Sequence, residues 1–467
     1  MNRIGQALLW AGGLALAALM VYTVYFDSGL GGTGRWSGTA DDATPVAVFY
    51  PDRTLWREFR QGVEACVRKR LTRVLEESDG SILVETARYK RKVRFDLHDV
   101  RGLRATKDEV QDLLETDPAP VAFVGSSNTV LTQAIAETLR ASAGPGEGGG
   151  PVLLVPWASS VLADRPEPGE GPVALLDIHP GRTFRFCPNN QRQADLLVSC
   201  LAANDGGKTP ARVVLVEDRL DPYSVDLGAA FHRAVERIAP EAEIVERADS
   251  LGLPLPQDVY ALPGPSEEAL AESIWREVDA RPDGRTTWVL LPLQEEPALR
   301  ILTALRRHAR LVPGTGPGPL RVLCGDGIGF TSLTRLAGRC PFPVWCSSSA
   351  SVPVAAQAVG QGLSPDTQVA AEIVAALVLC MDLPPSKPLT GNGLRDALAS
   401  LRIAPGDPAA MGRSLSFSRS GERGGDDLGH VLMIRPDHPG VFALARGPSG
   451  QWGAPALLKS EPLAVRP

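Results

Sequence analysis

Three short hydrophobic runs, each followed at once by small or polar residues, constrain the fold of this chain more than any other feature. They are Val121-Ala122-Phe123-Val124 before Gly125-Ser126-Ser127-Asn128-Thr129, Val152-Leu153-Leu154-Val155 before Pro156-Trp157-Ala158-Ser159-Ser160, and Val213-Val214-Leu215-Val216 before Glu217-Asp218, with Tyr223 just beyond. Such runs are typical of strands buried on both faces of a parallel sheet. Ligands of open α/β sheets bind at the carboxyl ends of these strands. The pattern therefore predicts a small-molecule site, with no evident reactive group in it.

Strand-like and helical patterns alternate along most of the chain. In the first series we expect strands at 46–49, 93–97, 121–124 and 152–155 and helices at 55–75, 107–116 and 131–139. In the second we expect helices at 191–203, 225–238, 267–278 and 297–310 and strands at 213–216, 242–245, 287–291 and 321–324. A late helix at 367–379 and strands at 414–417, 431–434 and 441–445 follow. This alternation predicts two doubly wound, parallel α/β units.

The amino-terminal segment is expected to lie outside both units. An apolar run over residues 4–26 is long enough to cross a bilayer as a helix. Arg3 before it and Asp27 after it place the amino end in the cytoplasm. We find no small-x-small cleavage site and no cysteine that could accept a lipid, so an uncleaved anchor is favoured over a removed signal peptide. Both alternatives export the body of the chain, and the Gly-, Ser- and Thr-rich residues 27–44 predict a flexible linker.

The net charge and the cysteines limit the possible partners. A net charge of −6 gives no reason to expect nucleic acid or an anionic membrane surface as a partner. Seven cysteines in an exported chain allow disulfides but leave at least one thiol free. Cys340 with Cys346 and Cys187 with Cys200 are two possible pairs, and the pairing stays open. No spacing of cysteine or histidine predicts a metal site.

Two glycine-rich segments superficially resemble nucleotide-binding loops. Gly206-Gly207-Lys208-Thr209 precedes a strand, whereas a phosphate-binding loop must open into a helix. In Gly325-Asp326-Gly327-Ile328-Gly329 the third glycine comes one position early, and Asp326 would repel a pyrophosphate. Instead, Asp326 at the end of a strand suits a cationic ligand group.

The dispersed histidines and the absence of a Gly-x-Ser-x-Gly elbow give no nucleophile–base pair, so we expect no enzyme.

The serines after the first two strands allow two interpretations. Ser126, Ser127, Ser159 and Ser160 can cap helices, because a hydroxyl at a helix start accepts the otherwise unpaired backbone N–H groups. They can also combine capping with ligand binding, since hydroxyls and free amides at a helix start hold a carboxylate. Both interpretations stay open at this point.

Four segments together resemble the type I periplasmic binding proteins, specifically the branched-chain amino acid binding proteins of ABC transporters. They are Phe184-Arg185-Phe186-Cys187-Pro188 with Gln191-Arg192-Gln193-Ala194; Val213–Val216 with Glu217-Asp218, Tyr223 and Leu227-Gly228; Gly325-Asp326-Gly327 with Leu333 and Leu336-Ala337-Gly338; and Leu415-Ser416-Phe417 with Gly421-Glu422-Arg423. Their order and spacing make the resemblance specific. It implies two lobes joined by a three-crossover hinge, over residues 45–181 with 350–410 and residues 182–346 with 411–460.

The resemblance also implies a ligand site between the lobes. Ser126 or Ser127 and the Ala158-Ser159-Ser160 turn would receive the ligand's carboxylate and part of its ammonium group. Asp326 would bind the ammonium, Tyr223 would approach from the same lobe, and Trp157 would either wall the cleft or pack within its lobe. Gln294 and Glu295 stand where the family has an aromatic contact, which points to a ligand more polar than leucine. Tyr50-Pro51-Asp52-Arg53 also departs from the family's first loop.

The implied activity is capture of an amino acid or a related small polar molecule by hinge closure. The chain would be a membrane-anchored solute-binding protein that faces the periplasm or cell exterior and works with an ABC permease, without a cofactor or metal. The alternative is a ligand-sensing receptor ectodomain of the same fold that signals through a membrane partner. A degenerate module that only scaffolds is a further possibility.

Overall fold

The fold is given by a computed structural model. It describes residues 42–51, 53–126, 128–143, 150–163, 172–204, 210, 212–248, 265–279, 286–311, 320–348, 364–384, 386–411, 413–424, 430–436, 438–446 and 451–458. The predicted anchor at 4–26, most of the predicted linker and Ser127 lie outside these ranges. Within them, no helix is both long and apolar enough to span a membrane.

The described strands and helices alternate as the sequence predicts for most of the chain. The strands are β1 (Thr44–Phe49), β2 (Thr72–Glu77), β3 (Ser81–Thr86), β4 (Lys92–His98), β5 (Ala122–Val124), β6 (Val152–Val155), β7 (Leu162–Ala163), β8 (Val173–Ala174), β9 (Thr183–Arg185), β10 (Arg212–Glu217), β11 (Glu243–Ala248), β12 (Thr287–Leu291), β13 (Leu320–Cys324), β14 (Val344–Ser348), β15 (Arg402–Ile403), β16 (Leu415–Ser416), β17 (His430–Arg435), β18 (His438–Leu444) and β19 (Ala456–Leu458). The helices are α1 (Arg53–Arg68), α2 (Leu103–Leu114), α3 (Thr129–Ser142), α4 (Asn190–Asn204), α5 (Pro222–Ile238), α6 (Pro265–Asp279), α7 (Glu295–Leu311), α8 (Phe330–Leu336), α9 (Pro365–Met381) and α10 (Gly391–Ser400).

The first sheet has the order β2-β3-β4-β1-β5-β6-β9. It is parallel from β4 to β9, but β2 and β3 form an antiparallel edge. The prediction of a wholly parallel sheet is therefore wrong at this edge. The expected helix to residue 75 ends at Arg68, and Arg70 follows with a φ of 59°. Strand β2 escaped detection because only Thr72 of its six residues is buried, so it lacks an alternating apolar face.

Helices cover both faces of the first sheet. α1 and α9 pack together on one face, where a Cβ at Gly62 would come within 2.7 Å of the Ala371 nitrogen, so only glycine permits this approach. Val110 of α2 and Leu139 of α3 belong to the core on the opposite face. We call this sheet with α1–α3, α9 and α10 the first lobe.

The second sheet has the order β11-β10-β12-β13-β14-β17-β18-β19. It is parallel from β11 to β14 and antiparallel from β14 to β19, so here too the sheet is mixed rather than wholly parallel. One core lies under α6 and α7, and another lies under α4 and α5, as in a doubly wound sheet. We call this sheet with α4–α8 the second lobe.

The chain passes between the sheets near residues 186–190, between β14 and α9, and between β16 and β17. β9 pairs with β6, so the first sheet extends past the lobe limit expected at residue 181. Phe417 also packs in the core of the first lobe. The exact lobe limits remain a prediction.

A buried ion network joins two of these passages. Glu372 of α9 accepts two hydrogen bonds from Arg413, at 2.6 and 2.8 Å, and a further contact from Arg423. Arg423 also donates to the Phe186 carbonyl at 3.1 Å. Burial alone would raise the pKa of Glu372, but the two guanidinium groups outweigh it and lower that pKa. We call Glu372, Arg413 and Arg423 the Glu372 network.

All seven cysteines are buried free thiols. Neither suggested pair, Cys340 with Cys346 or Cys187 with Cys200, forms a disulfide. Instead Cys346 of β14 lies opposite Cys324 of β13, its neighbour in the sheet. Burial raises the pKa of Cys340 to about 12, which keeps that thiol protonated and unreactive.

Candidate functional site

The carboxyl ends of one strand from each sheet meet at the junction of the lobes. Ser159 follows β6 of the first sheet, and Asp326 follows β13 of the second. The Ser159 hydroxyl donates a hydrogen bond to Asp326 Oδ1 at 3.3 Å. The structure thus brings together, across two separate sheets, two of the residues that the sequence assigned to the ligand.

Asp326 is fixed in place by neighbours of its own lobe. The Tyr223 hydroxyl donates to Asp326 Oδ1 at 3.1 Å and accepts the backbone N–H of Gly327 at 3.1 Å. Gln193 Oε1 accepts the backbone N–H of Asp326 at 3.0 Å. The Tyr223 side chain is itself buried, so it holds the Asp326 carboxylate in position from within the second lobe.

The second carboxylate oxygen of Asp326 is left for another partner. Oδ2 is buried and accepts no hydrogen bond from the described residues. Burial raises the pKa of Asp326 to about 6, although the nearby Gln193 amide and the hydrogen bonds from Tyr223 and Ser159 work against it. The group is therefore largely ionised at neutral pH, and a buried oxygen without a partner is costly. An ammonium group at Oδ2 would remove that cost.

The glycines beside Asp326 serve close packing. A Cβ at Gly325 would come within 2.2 Å of the Tyr223 hydroxyl oxygen, and one at Gly327 within 2.6 Å of the Leu293 carbonyl oxygen. Both positions require glycine because the loop is pressed against these groups. Close packing therefore explains why this segment is rich in glycine, and a phosphate-binding role is not needed to explain it.

The serines predicted to receive a carboxylate differ in their surroundings. The Ser126 hydroxyl is buried without a hydrogen-bond partner among the described residues. It does not cap α3, because Asn128 Oδ1 accepts the Leu131 N–H there at 2.9 Å. The Ser160 hydroxyl is already paired with that of Thr129 at 2.9 Å. Ala158 is buried in the core of the first lobe. Of the described serines that were predicted to bind the ligand's carboxylate, Ser126 and Ser159 therefore remain the candidates.

A second contact between the lobes was missed by sequence reasoning. Asp226 of α5 accepts the backbone N–H of Val161 at 2.8 Å and the Asn190 amide at 2.9 Å. Asp226 is almost fully buried. Its signal in the sequence is an acidic residue on the apolar face of a helix, next to Leu227.

Two aromatic side chains line the same edge of the first sheet. Tyr50 follows β1 and Trp157 follows β6, and their ring centroids are 5.2 Å apart. The Tyr50 hydroxyl is fully buried, and it has no hydrogen-bond partner in the described part of the chain. Trp157 is only partly buried and packs on the core of the first lobe, which is one of the two alternatives for it.

An acidic residue that sequence reasoning missed lies beside Trp157. Burial raises the pKa of Asp366, in the first turn of α9, to about 6. Glu58, Glu295 and Asp326 raise it further, whereas the nearby indole N–H of Trp157 lowers it. Glu295 begins α7, and the Gln294 side chain before it hydrogen-bonds to Asp221. The position that departs from the resembled family thus places a carboxylate, Glu295, near Asp366.

Comparison with known proteins supports the architecture. No protein-family model matches the chain, and no curated protein matches it. Among solved structures, a substrate-binding protein of an ABC transporter from Desulfitobacterium hafniense in complex with Leu is 15% identical, with a TM-score of 0.55 over 85% of this chain and 98% of that one. A leucine-, isoleucine-, valine-, threonine- and alanine-binding protein from Brucella ovis in a closed conformation is 12% identical, with a TM-score of 0.59 over 89% and 94%. A solute-binding protein from Rhodopseudomonas palustris in complex with 3,4-dihydroxybenzoic acid is 13% identical, with a TM-score of 0.55 over 90% and 99%.

These likenesses extend over nearly the whole of each solved chain and over most of this one. At such low identity they show the fold. The chain has the fold of the type I periplasmic binding proteins, as its four motifs predicted.

Proposed function

We propose that the chain is an extracytoplasmic solute-binding protein that captures an amino acid or a related small polar molecule between its two lobes, for uptake by an ABC-type transporter. The observation that carries this proposal is Asp326, a fixed carboxylate at the junction of the lobes with one buried oxygen that has no partner among the described residues. The fold supports it, because the similar structures are described as substrate- or solute-binding proteins.

In this proposal Asp326 binds the ligand's ammonium group through Oδ2. A charge-assisted hydrogen bond of this kind contributes about 1.5–3 kcal/mol. The ligand's carboxylate is received by Ser126 or Ser127 and by the 158–160 turn, and Tyr223 keeps Asp326 in position. Gln294 and Glu295 contact the ligand's side chain.

Binding is coupled to hinge closure. The segments near 186, between β14 and α9, and between β16 and β17 form the three crossovers, and the lobes follow the limits predicted above with β9 added to the first. A ligand that contacts Ser159 on one lobe and Asp326 on the other favours the closed arrangement by its higher affinity for it. No covalent step is required.

A thermal-shift screen of amino acids, amides and small carboxylates, followed by calorimetry on the hits, tests the proposal. Asp326→Ala should abolish binding of an α-amino acid and leave the circular dichroism spectrum unchanged. Asp108→Ala is the matched control, because Asp108 lies on α2 with a side chain that is 69% exposed. Unchanged affinity in Asp326→Ala would show that the assigned site is wrong.

A further inference from the structure

The junction of the lobes has more negative charge than one ammonium group requires. Asp366 and Glu58 belong to the first lobe, and Glu295 and Asp326 belong to the second. Every charged group that acts on the Asp366 carboxyl, within the described residues, is one of these other three carboxylates. A leucine-like ligand, whose single ammonium group binds Asp326, would leave this repulsion in place.

Acidic residues in the first turn of a helix are common, because the helix dipole favours negative charge there. That explanation fits Glu295 and Glu296, which open α7. It does not account for Asp366. A second carboxylate, that of Glu58, accepts a hydrogen bond from the Ser364 hydroxyl at the start of the same helix, at 2.7 Å, and burial together with like charges raises the pKa of Asp366. Its position thus costs stability and calls for a cation that the described residues do not supply.

The surroundings of Asp366 suit an organic cation. Trp157 stands beside it and packs on Tyr50, and the face of an indole ring attracts a cation. The Tyr50 hydroxyl, near enough for Asp366 to raise the pKa of Tyr50, is fully buried and unpartnered in the described ranges. Its oxygen can accept an N–H from a ligand. This is a second sign, independent of the carboxylates, that a polar group belongs here.

A metal ion fits the cluster less well. No group of three or more acidic, histidine or cysteine side chains in the described residues is arranged to hold a metal ion. One carboxylate oxygen of Glu58 is also occupied by the hydroxyls of Ser364, at 2.7 Å, and Thr367. Dispersed carboxylates beside aromatic rings favour a cation that is itself extended.

We propose that the junction binds a small molecule with two cationic amino groups, one at Asp326 and the other at Asp366 beside Trp157. This inference rests on the proposed solute-binding function and specifies its ligand. It also makes closure depend on ligand charge. Without the ligand, Glu295 and Asp326 repel Glu58 and Asp366 across the junction; with both cations in place, the same carboxylates hold the lobes together.

Calorimetry at pH 7.5 with matched probes tests the inference. Lysine and norleucine share a backbone and differ by the side-chain ammonium group, and 1,5-diaminopentane keeps both amines but lacks the carboxylate. We call lysine and 1,5-diaminopentane dications because each has two ammonium groups, although the carboxylate of lysine leaves it a net charge of +1. We expect at least one dication to bind about 10- to 100-fold more tightly than norleucine, the ratio that one charge-assisted hydrogen bond provides. The two dications also show whether the ligand's carboxylate is needed.

Asp366→Asn completes the test. It should remove the preference for the dication, while the affinity for norleucine should not fall, because the variant also relieves the repulsion across the junction. Norleucine binding as tightly as both dications, or an unchanged preference in Asp366→Asn, would overturn the inference and leave the solute-binding function standing. If neither the dications nor any compound of the wider screen binds in an Asp326-dependent way, the solute-binding function itself is wrong.

Discussion

Helix α9 places two carboxylates in opposite electrostatic environments. Glu372 is enclosed by Arg413 and Arg423, and these charges lower its pKa. Asp366, six residues earlier, is surrounded by other carboxylates, and its pKa is raised. Burial disfavours the charge in both cases. The difference is that, among the residues that the structure describes, the first site contains its own countercharge and the second does not, which separates a carboxylate that is paired within the fold from one that we propose is paired by a ligand.

The largest expected effect concerns Glu372, whose charge is paired with Arg413 and Arg423. Glu372→Gln removes the negative charge and leaves two buried guanidinium groups without compensation, so we expect the free energy of unfolding to fall by about 3–5 kcal/mol. Denaturant unfolding of the full chain measures this. Glu64→Gln is the control, since the Glu64 side chain is 66% exposed and should change the value by less than about 0.5 kcal/mol. A loss in Glu372→Gln as small as that of the control would contradict the assigned role.

The pH dependence of stability should show the two sites with opposite slopes. The pKa values of Asp326 and Asp366 rise from 3.8 to about 6 on folding, so the folded state binds more protons in that window and stability falls as pH rises through it. The pKa of Glu372 is lowered, so its contribution is present above the unfolded pKa of 4.5 and is lost as pH falls below it.

Comparing the Asp326→Asn/Asp366→Asn double variant with the wild-type chain isolates the pH dependence of stability that comes from Asp326 and Asp366. The free energy of unfolding of the double variant should exceed the wild-type value by an amount that grows between pH 4 and pH 6. This difference should level off at about 2 kcal/mol. It is smaller than the full pKa shifts imply, because both side chains are partly hydrated. Denaturant titrations at half-unit pH steps measure the difference. A difference that shrinks as pH rises would reverse the assignment.

A smaller effect of the same sign is expected from Asp366→Asn alone. The amide keeps the shape of the carboxylate and removes its charge, so the unliganded protein should gain about 1 kcal/mol at pH 7.5. Glu372→Gln makes the same chemical change two turns later on α9 and should act in the opposite direction, so the two variants control for each other. A loss of stability in Asp366→Asn would mean that its charge already has a partner.

Much of this comparison could not be predicted from sequence. The alternation of strands and helices, the Asp326 loop and the fold were predicted, because buried strands and glycine-bounded loops leave local patterns. Asp366 and Glu58 were missed, since they are about 300 residues apart and their proximity depends on the packing of α9 on α1. The Glu372 network was missed because Arg413 and Arg423 follow Glu372 by 41 and 51 residues, so only the folded chain brings the three together. The antiparallel edges were missed because β2 has no apolar face and β19 is only three residues long.

The smallest expected effect concerns the hydrogen bond by which Tyr223 keeps the Asp326 carboxylate in position. Its hydrogen bond from Tyr223 lowers the pKa of Asp326, against the larger effect of burial. Tyr223→Phe removes this donor, so the pKa of Asp326 should rise and an amino-group ligand should bind about fivefold more weakly at pH 7, the cost of one hydrogen bond. The decisive readout is the pH profile: the pH at which affinity falls to half should move upward. Tyr89→Phe, on the turn between β3 and β4, should leave that midpoint in place. If Tyr223→Phe weakens binding equally at every pH, Tyr223 contacts the ligand directly and does not act by positioning Asp326.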